Sequence, residues 1–262
     1  MMATQKKSIK VLGAYGTKAK GFGTSSFALN QTDVIDAGNL LDALGEESIQ
    51  VKNIWLTHQH LDHIVDIAYI IDNYFGIRKE TINILGTKQT IEAIQKHFLN
   101  DEIWPDFSKI TLPNGEQVVK YTEIELDVTY KISDNETIRA IKTDHTESSC
   151  GYIYTRQESA LLITADTYNI DNIIEEIEQN NIIKAVVIEC SFPSELESLA
   201  KESKHLTPKL LFESLKKLKR RDFQLYINHI KPTYLLQIAQ EIEQMQGDFN
   251  PKLLKEGEFL QF

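Results

Sequence analysis

The sequence predicts an α/β protein with a metal site at the ends of its strands. Short apolar runs typical of strands alternate along the chain with longer segments whose apolar residues recur at helical spacing. Several of the strand-like runs are followed by histidine or aspartate, side chains that bind divalent ions such as Zn²⁺. Of the 262 residues, 42% are hydrophobic and 25% are charged, which is ordinary for a globular protein with a full core.

Apolar and β-branched runs bounded by glycine and polar residues predict the strands. The second and third of these runs are interpreted as a hairpin that ends at Asp36-Ala37-Gly38. The predicted strands lie at residues 8–12, 25–29, 32–35, 51–56, 81–85, 137–142, 151–155, 160–164, 182–189 and 223–228.

Apolar residues at helical spacing predict the helices. The first carries Ile64, Ile67 and Ile71 and ends near residue 76. A later helix begins at Thr207-Pro208, because threonine is a good N-cap and proline suits the first helical position. The other helices are predicted around Ile91 and Ile94, around Ile173, Ile174 and Ile177, and at residues 235–245.

Charge restricts the partners of the protein. With 28 basic and 38 acidic residues the net charge is −10. Such a charge disfavours the binding of a large nucleic acid, because the affinity of proteins for nucleic acids comes mainly from the neutralisation of phosphates. One basic cluster is interpreted as the solvated face of the amphipathic helix that begins at Thr207: Lys216, Lys217, Lys219, Arg220 and Arg221.

Other features concern location and domain number. No run approaches the roughly 18 apolar residues that span a membrane, and residues 1–10 are polar, without the apolar centre of a signal peptide. We therefore expect a cytoplasmic protein that does not bind membranes. Cys150 and Cys190 form no paired motif, so neither a disulfide framework nor a cysteine-based zinc site is expected. Without a linker rich in Pro, Gly or Ser, residues 1–262 are predicted to form one domain.

Four potential metal ligands lie close together: His58, His60, Asp62 and His63. His58 and His60 alternate as in an extended segment, whereas the other two fall at the start of a helical pattern. The two pairs can therefore point at two different ions. Packing alone does not explain four such side chains at a strand end, because buried polar groups need partners.

Three further potential ligands, His145, Asp166 and His229, each come shortly after a predicted strand. Loops at strand ends, held by a rigid sheet, are where sites are usually built. Each of these residues is a weak signal alone, but together and in this order they support the same metal site.

The His-x-His-x-Asp-His motif and the three later ligands resemble those of the metallo-β-lactamase-fold hydrolases. The resemblance covers nearly the whole chain and implies a four-layer αββα sandwich. It also implies two divalent ions, expected to be Zn²⁺, with Mn²⁺ or Fe²⁺ as alternatives. By this resemblance the ligands of the first ion are His58, His60 and His145, those of the second are Asp62, His63 and His229, and Asp166 bridges the two.

Within that superfamily, residues 97–107 (HFLNDEIWPDF) resemble a stretch of the class II 3′,5′-cyclic-nucleotide phosphodiesterases. Residues 205–208 (HLTP) and 228–232 (NHIKP) are also similar to that family. The resemblance implies hydrolysis of cAMP or cGMP to the nucleoside 5′-monophosphate. Asn100 and Trp104 become candidates for contact with the nucleotide, although Trp104 also suits a hydrophobic anchor beneath a loop.

The same resemblance assigns roles around the ions. His205 is the candidate general acid that protonates the departing 3′ oxygen, and Glu189 orients its ring. Asp62 counts as a catalytic residue as well as a ligand. Asp36 is expected to hydrogen-bond the 58–63 loop and to fix the orientation of its rings.

Three alternatives are open. The tRNA 3′-processing endonucleases of the RNase Z type resemble this chain in nearly all ligands, but they carry a protruding arm that the sequence does not show. A lactone or thioester hydrolase is disfavoured by residues 97–107, and a non-catalytic nucleotide sensor by the intact ligand set. The expected partner is therefore a small cyclic nucleotide, and a homodimer is compatible with the sequence.

Overall fold

The computed structural model describes residues 8–262, and within this range the strands form two sheets. The first sheet contains β1 (Ile9–Gly13), β2 (Ser26–Ala28), β3 (Asp33–Ile35), β4 (Asn53–Trp55), β5 (Ile82–Gly86), β6 (Val119–Glu123) and β14 (Phe259–Leu260). The second contains β7 (Thr129–Ser133), β8 (Glu136–Lys142), β9 (Cys150–Arg156), β10 (Ser159–Ile163), β11 (Ile183–Glu189), β12 (Gln224–Asn228) and β13 (Lys252–Leu253). The helices are α1 (Leu40–Leu44), α2 (Leu61–Tyr74), α3 (Lys88–His97), α4 (Asp171–Gln179), α5 (Glu197–Ser203), α6 (Pro208–Leu215) and α7 (Leu235–Met245).

Both sheets combine parallel and antiparallel pairing. In the first sheet β3, β4, β5 and β6 are parallel neighbours, whereas β14, β1, β2 and β3 pair antiparallel. In the second sheet β10, β11, β12 and β13 are parallel, whereas β7, β8, β9 and β10 pair antiparallel. Because the carboxyl ends of parallel strands meet at one edge, the loops that follow them lie side by side.

Three clusters of buried apolar residues separate four layers. One cluster fills the space between the two sheets and includes Phe27 and Tyr152. A second joins the first sheet to α2 and α3, for example through Ile84 and Ile67. The third packs α4, α6 and α7 against the second sheet. The helix–sheet–sheet–helix order that the sequence resemblance implies is therefore confirmed.

Each strand and helix predicted from the sequence has a counterpart in the structure. The predicted hairpin is formed by β2 and β3, and α7 has the predicted bounds Leu235–Met245. The hydroxyl of Thr207 caps α6 by accepting the N–H of Leu210 at 3.3 Å, with Pro208 in the first turn. The helices α1 and α5 and the strands β6, β7, β13 and β14 were not predicted.

The interpretation of the basic cluster was wrong. α6 ends at Leu215, so residues 216–221 follow the helix rather than covering its outer face. The Arg220 side chain is mostly buried and donates to the carbonyl oxygens of Asn180 and Ile183. This arginine joins the loop to the end of α4, and its main partners are main-chain carbonyl groups.

Among residues 8–262, no helix combines the length and the apolar character that crossing a membrane requires. Cys150 and Cys190 are free and buried, in agreement with the expected absence of a disulfide framework. Burial raises the pKa of the Cys150 thiol to about 12, so this thiol behaves as a small packed side chain.

Candidate metal centre

The loops after the strands bring the polar side chains predicted from the sequence to one place. His58 follows β4, Asp166 follows β10, and His229 follows β12. In three overlapping groups, each residue offers a ligand atom within 4.8 Å of the others. The first group is His58, His60, His145 and Asp166, the second is Asp62, His63 and His229, and the third is Asp166, His205 and His229.

The motif at residues 58–63 changes from extended backbone to helix along its length. His60 has an extended backbone (φ −68°, ψ 147°) and is the N-cap of α2, which begins at Leu61. His58 and His63 are fully buried, whereas His60 is exposed. The helix begins directly after His60, and the motif is divided between the first two groups.

The carboxylate of Asp166 lies between these two groups. Its Oδ2 is 3.6 Å from Nε2 of His58 and 3.7 Å from Nε2 of His145. Its Oδ1 is 3.5 Å from Nε2 of His63 and 3.2 Å from Nε2 of His229. One oxygen therefore faces each group, which is an arrangement that suits a ligand shared by two ions.

The donor set fits divalent ions. Among the described residues, Nε2 of His58 and Oδ1 of Asp166 are buried without a hydrogen-bond partner, although buried polar atoms normally have one. Neutral imidazoles and carboxylates are the ligands that Zn²⁺ and similar ions prefer. A cation in each group would give both atoms a partner.

Burial prepares these side chains for metal binding. It lowers the pKa of His58 well below the usual value, and it also lowers the pKa values of His60 and His145. A neutral imidazole keeps a lone pair for an ion. Burial alone would raise the pKa of Asp166, but His229 and His63 hold it well below the usual value. The low pKa favours the negatively charged form of this carboxylate.

Asp36, at the end of β3, orders the histidine loop. Its Oδ2 accepts the hydrogen on Nδ1 of His63 at 2.7 Å, and its Oδ1 accepts the N–H of Thr57 at 2.8 Å. The Thr57 hydroxyl lies 3.0 Å from Nδ1 of His58. Burial alone would lower the pKa of His63, but the carboxylates of Asp166 and Asp36 raise it well above the usual value. Since both Nδ1 atoms are engaged, the Nε2 atoms of His58 and His63 face the centre.

Four residues of the centre have a left-handed backbone, which residues other than glycine rarely adopt. The Lys204 carbonyl accepts the hydrogen on Nδ1 of His145 at 3.0 Å, which leaves Nε2 of that ring for the centre. A left-handed backbone costs roughly 1–3 kcal/mol for each residue other than glycine, and residues with this backbone cluster at functional sites. The four residues are Asp36, Ala165, Lys204 and His229, with φ between 53° and 59°.

His205 and Glu189 form a buried pair beside the ligands. Nδ1 of His205 donates to Oε1 of Glu189 at 2.7 Å, and the His205 ring stacks on His229 with centroids 5.4 Å apart. Burial alone would lower the pKa of His205, but the Glu189 carboxylate outweighs it, and the pKa is raised. The second nitrogen, Nε2, is left for another partner.

The two candidate nucleotide contacts have other partners in the structure. Oδ1 of Asn100 accepts the N–H groups of Glu102 and Ile103, and Nδ2 donates to the Lys96 carbonyl. The Trp104 ring contacts Tyr69 with centroids 5.8 Å apart and packs against the apolar core of the first sheet. These contacts match the alternative interpretation of this loop as a hydrophobic anchor. A contact with the nucleotide stays a prediction for both residues.

Several residues of the centre were missed in the sequence. Thr57, Thr167, Ser191 and Lys204 each hydrogen-bond a ligand or the His205–Glu189 pair. Thr57 could have been identified most easily, because it lies directly before the histidine motif. Lys204 acts through its main-chain carbonyl, which every residue has, so its side chain gives no signal.

A family model described as "cAMP phosphodiesterases class-II" matches residues 13–241. The chain belongs to this family. A curated relative of this class II phosphodiesterase is 3′,5′-cyclic-nucleotide phosphodiesterase 1 of Saccharomyces cerevisiae, 26% identical over 275 residues, which cover 88% of this chain and 72% of the relative. The crystal structure of unliganded yeast PDE1 matches with a TM-score of 0.80 at 19% identity, over 97% of this chain and 99% of that chain.

Another solved structure identifies the fold of the class II phosphodiesterase. A metallo-β-lactamase-fold protein from Bacillus subtilis matches with a TM-score of 0.72 at 19% identity, over 97% of this chain and 99% of that chain. The fold expected from the sequence is thus confirmed. A ribonuclease Z of Picrophilus torridus is 30% identical over 166 residues, but these cover only 59% of this chain and 48% of the relative.

Proposed function

We propose that this class II phosphodiesterase hydrolyses 3′,5′-cyclic nucleotides, cAMP or cGMP, to nucleoside 5′-monophosphates at a centre for two divalent ions. The observation that carries the proposal is the position of Asp166. Each of its oxygens faces a separate group of imidazoles. In a member of this family, such a carboxylate supports two ions side by side rather than one.

The proposed ligands follow from these groups. We expect Zn²⁺, with Mn²⁺ or Fe²⁺ as alternatives that the same donors accept. When bound, a pair of ions supplies a nucleophile from water at neutral pH and positive charge for the phosphate oxygens. The first ion would be held by His58, His60 and His145, the second by Asp62, His63 and His229, and both by Asp166.

The residues of the chain handle the proton. Hydrolysis breaks the bond between phosphorus and the 3′ oxygen, which is a poor leaving group unless it is protonated. Glu189 engages Nδ1 of His205, so the hydrogen that can be transferred sits on Nε2 of this ring. We assign His205 as the general acid and Glu189 as the residue that orients it.

A small substrate suits the charge of this protein. A cyclic nucleotide carries one negative charge, so two cations and a few contacts can hold it. A tRNA carries dozens of phosphates and depends on positive surface and counterion release, which a net charge of −10 disfavours. All seven proposed ligands come from one chain, so the proposal does not require a homodimer. The free thiols of Cys150 and Cys190 suit a reducing compartment such as the cytoplasm.

A panel of substrates tests the proposal: cAMP, cGMP, a 2′,3′-cyclic nucleotide, a pre-tRNA and a lactone. We expect the 3′,5′-cyclic nucleotides to be converted to 5′-monophosphates, with a shallow dependence on salt. Treatment with a chelator should abolish this turnover, and Zn²⁺ or Mn²⁺ should restore it. Efficient cleavage of pre-tRNA together with inert cyclic nucleotides would overturn the proposed substrate.

A further inference from the structure

The hydroxyl of Ser191 lies between the ligand His229 and the carboxylate of Glu189. Ser191 follows the end of β11 and is 0% exposed. Its Oγ is 2.9 Å from Nδ1 of His229 and 2.7 Å from Oε2 of Glu189. Two further atoms lie near the hydroxyl, the carbonyl oxygen of His229 at 3.1 Å and Nδ1 of His205 at 3.3 Å.

The chemistry of each group decides the direction of these hydrogen bonds. Nε2 of His229 points at the centre, 3.2 Å from Oδ1 of Asp166. A neutral ring that offers a lone pair there carries its hydrogen on Nδ1, so Oγ of Ser191 accepts from His229. The hydroxyl hydrogen then goes to Glu189, because a short bond to a carboxylate is stronger than a longer one to a carbonyl.

The carboxylate of Glu189 collects contacts from several parts of the centre. Its Oε1 accepts from Nδ1 of His205 at 2.7 Å and from the N–H of Thr167 at 2.8 Å. Its Oε2 accepts from the Ser191 hydroxyl. One buried carboxylate therefore holds the candidate acid directly and the ligand His229 through Ser191.

The main chain fixes the serine in this place. The N–H of Ser191 donates to the carbonyl of Leu206 at 3.1 Å, and the N–H of Cys190 donates to that of Asn228 at 3.0 Å. A side chain without a hydroxyl at position 191 would leave the hydrogen on Nδ1 of His229 without this acceptor. An unpaired buried donor is costly, so the ring would be free to turn or to change its tautomer.

We propose that Ser191 is a positioning residue that fixes the ring of His229 for the second ion and joins this ligand to the Glu189–His205 pair. The inference rests on the proposed function, because it takes His229 as a ligand. A serine that only braced the main chain through the carbonyl of His229 would not set the tautomer of the ring. The two roles therefore differ in what they do to metal affinity.

The first experiment measures the stepwise affinity of the full chain for Zn²⁺ by competition with a chelator. It compares the wild type with Ser191→Ala and with the control Ser48→Ala. Ser48 is equally buried, and its hydroxyl donates to the Gly45 carbonyl at 2.6 Å in a segment that carries none of the ligands. We expect Ser191→Ala to bind one ion about 10–100-fold more weakly, the usual effect of losing a hydrogen bond behind a ligand.

The affinity of Ser191→Ala for the other ion should be unchanged, and Ser48→Ala should keep both affinities. Ser191→Thr retains the hydroxyl and should recover most of the loss. Wild-type affinity for both ions in a folded Ser191→Ala would overturn the proposal. An equal loss in Ser48→Ala would overturn it as well, since the effect would then come from any buried serine.

The second experiment uses the wild type and does not depend on how the variants fold. Long-range ¹H–¹⁵N spectra of the Zn²⁺-loaded protein report which nitrogen of the His229 ring carries hydrogen. We expect the hydrogen on Nδ1, and we expect it to exchange slowly with solvent. A ring without hydrogen on Nδ1 overturns the inference. If the wild type binds only one ion, the proposed function is contradicted instead. The spectrum still reports which nitrogen of the His229 ring carries hydrogen, and so it still tests the role of Ser191.

Discussion

Asp36 and His63 are joined by a buried hydrogen bond of 2.7 Å between Oδ2 and Nδ1. The other oxygen of Asp36 accepts the N–H of Thr57, so this carboxylate holds both the ring and the loop that leads to it. The contact turns Nε2 of His63 toward Asp166 and His229. Asp36 therefore supports a ring that we propose as a ligand of the second ion, although it is 27 residues from His63 in the sequence.

Asp36→Asn should weaken the binding of one ion by about 10–100-fold, because an amide is uncharged and has one accepting oxygen, whereas the carboxylate accepts from both His63 and Thr57. Asparagine tolerates the left-handed backbone at this position (φ 58°), so the substitution tests the charge rather than the backbone. A matched control is Asp127→Asn, since Asp127 is also left-handed (φ 61°) but lies on the surface beside Arg139. Chelator competition measures both, and equal affinities in the two variants would contradict the role of Asp36.

Asp166→Ala should lose both ions, because each oxygen of this carboxylate faces a different group of ligands. His60→Ala should lose less metal, since His60 is exposed and belongs to the first group alone. Elemental analysis of the purified variants measures the metal content per chain. A fully loaded Asp166→Ala would disprove the shared ligand, and a thermal unfolding profile like that of the wild type would show that the variant is folded.

Secondary structure was predicted best where burial produces either a continuous apolar run or a periodic apolar pattern. β11 is buried along almost all of its length, and α4 buries Ile173, Ile174 and Ile177 on one face. Both patterns can be seen in the sequence. The edge strand β6 is mostly exposed and β14 has only two residues, so neither has enough buried positions to produce a pattern. Such strands depend on pairing with a neighbour that is distant in the chain.

The candidate ligands could be chosen from residue type and order, but the hydrogen bonds behind them could not. The chain has seven histidines, and three of them fall within residues 58–63, which draws attention to this segment. Ser191 and Thr57 are common residue types whose role depends on which ring lies beside them. The left-handed backbone of Lys204 (φ 54°) has no signal in a lysine, because tertiary contacts impose it. These contacts depend on which residues lie close together in the folded structure, and residue type alone does not reveal this.

Gly16→Ala should weaken the binding of the second ion. A Cβ at this position would lie 2.5 Å from the carbonyl oxygen of His229 and 2.7 Å from its Nδ1, closer than side chains approach. Either the glycine loop or the His229 ring must move, and a movement of the ring would also break its contact with Ser191. The control is Gly76→Ala, because a Cβ on Gly76 meets nothing within 4 Å among the described residues. Stepwise Zn²⁺ titration measures the effect, and identical curves for the two variants would contradict this account.

His205→Ala should keep its ions but lose about 10²–10⁴-fold in turnover of cAMP, the usual contribution of a positioned acid or base. His205 belongs with Asp166 and His229 to a third group that could hold an ion, so metal content separates the two roles. Loss of an ion in this variant would make His205 a ligand. Full metal content with reduced turnover would leave acid catalysis as its function.

The choice of substrate then tests the acid itself. The leaving group of bis(p-nitrophenyl) phosphate is stable as an anion, so it needs no proton, whereas the 3′ oxygen of a cyclic nucleotide does. The loss in His205→Ala should therefore be much smaller for bis(p-nitrophenyl) phosphate than for cAMP. Glu189→Gln should follow the same pattern more weakly, because Glu189 acts on the reaction through its 2.7 Å contact with His205. If both substrates lose the same factor in His205→Ala, this histidine does not protonate the leaving group.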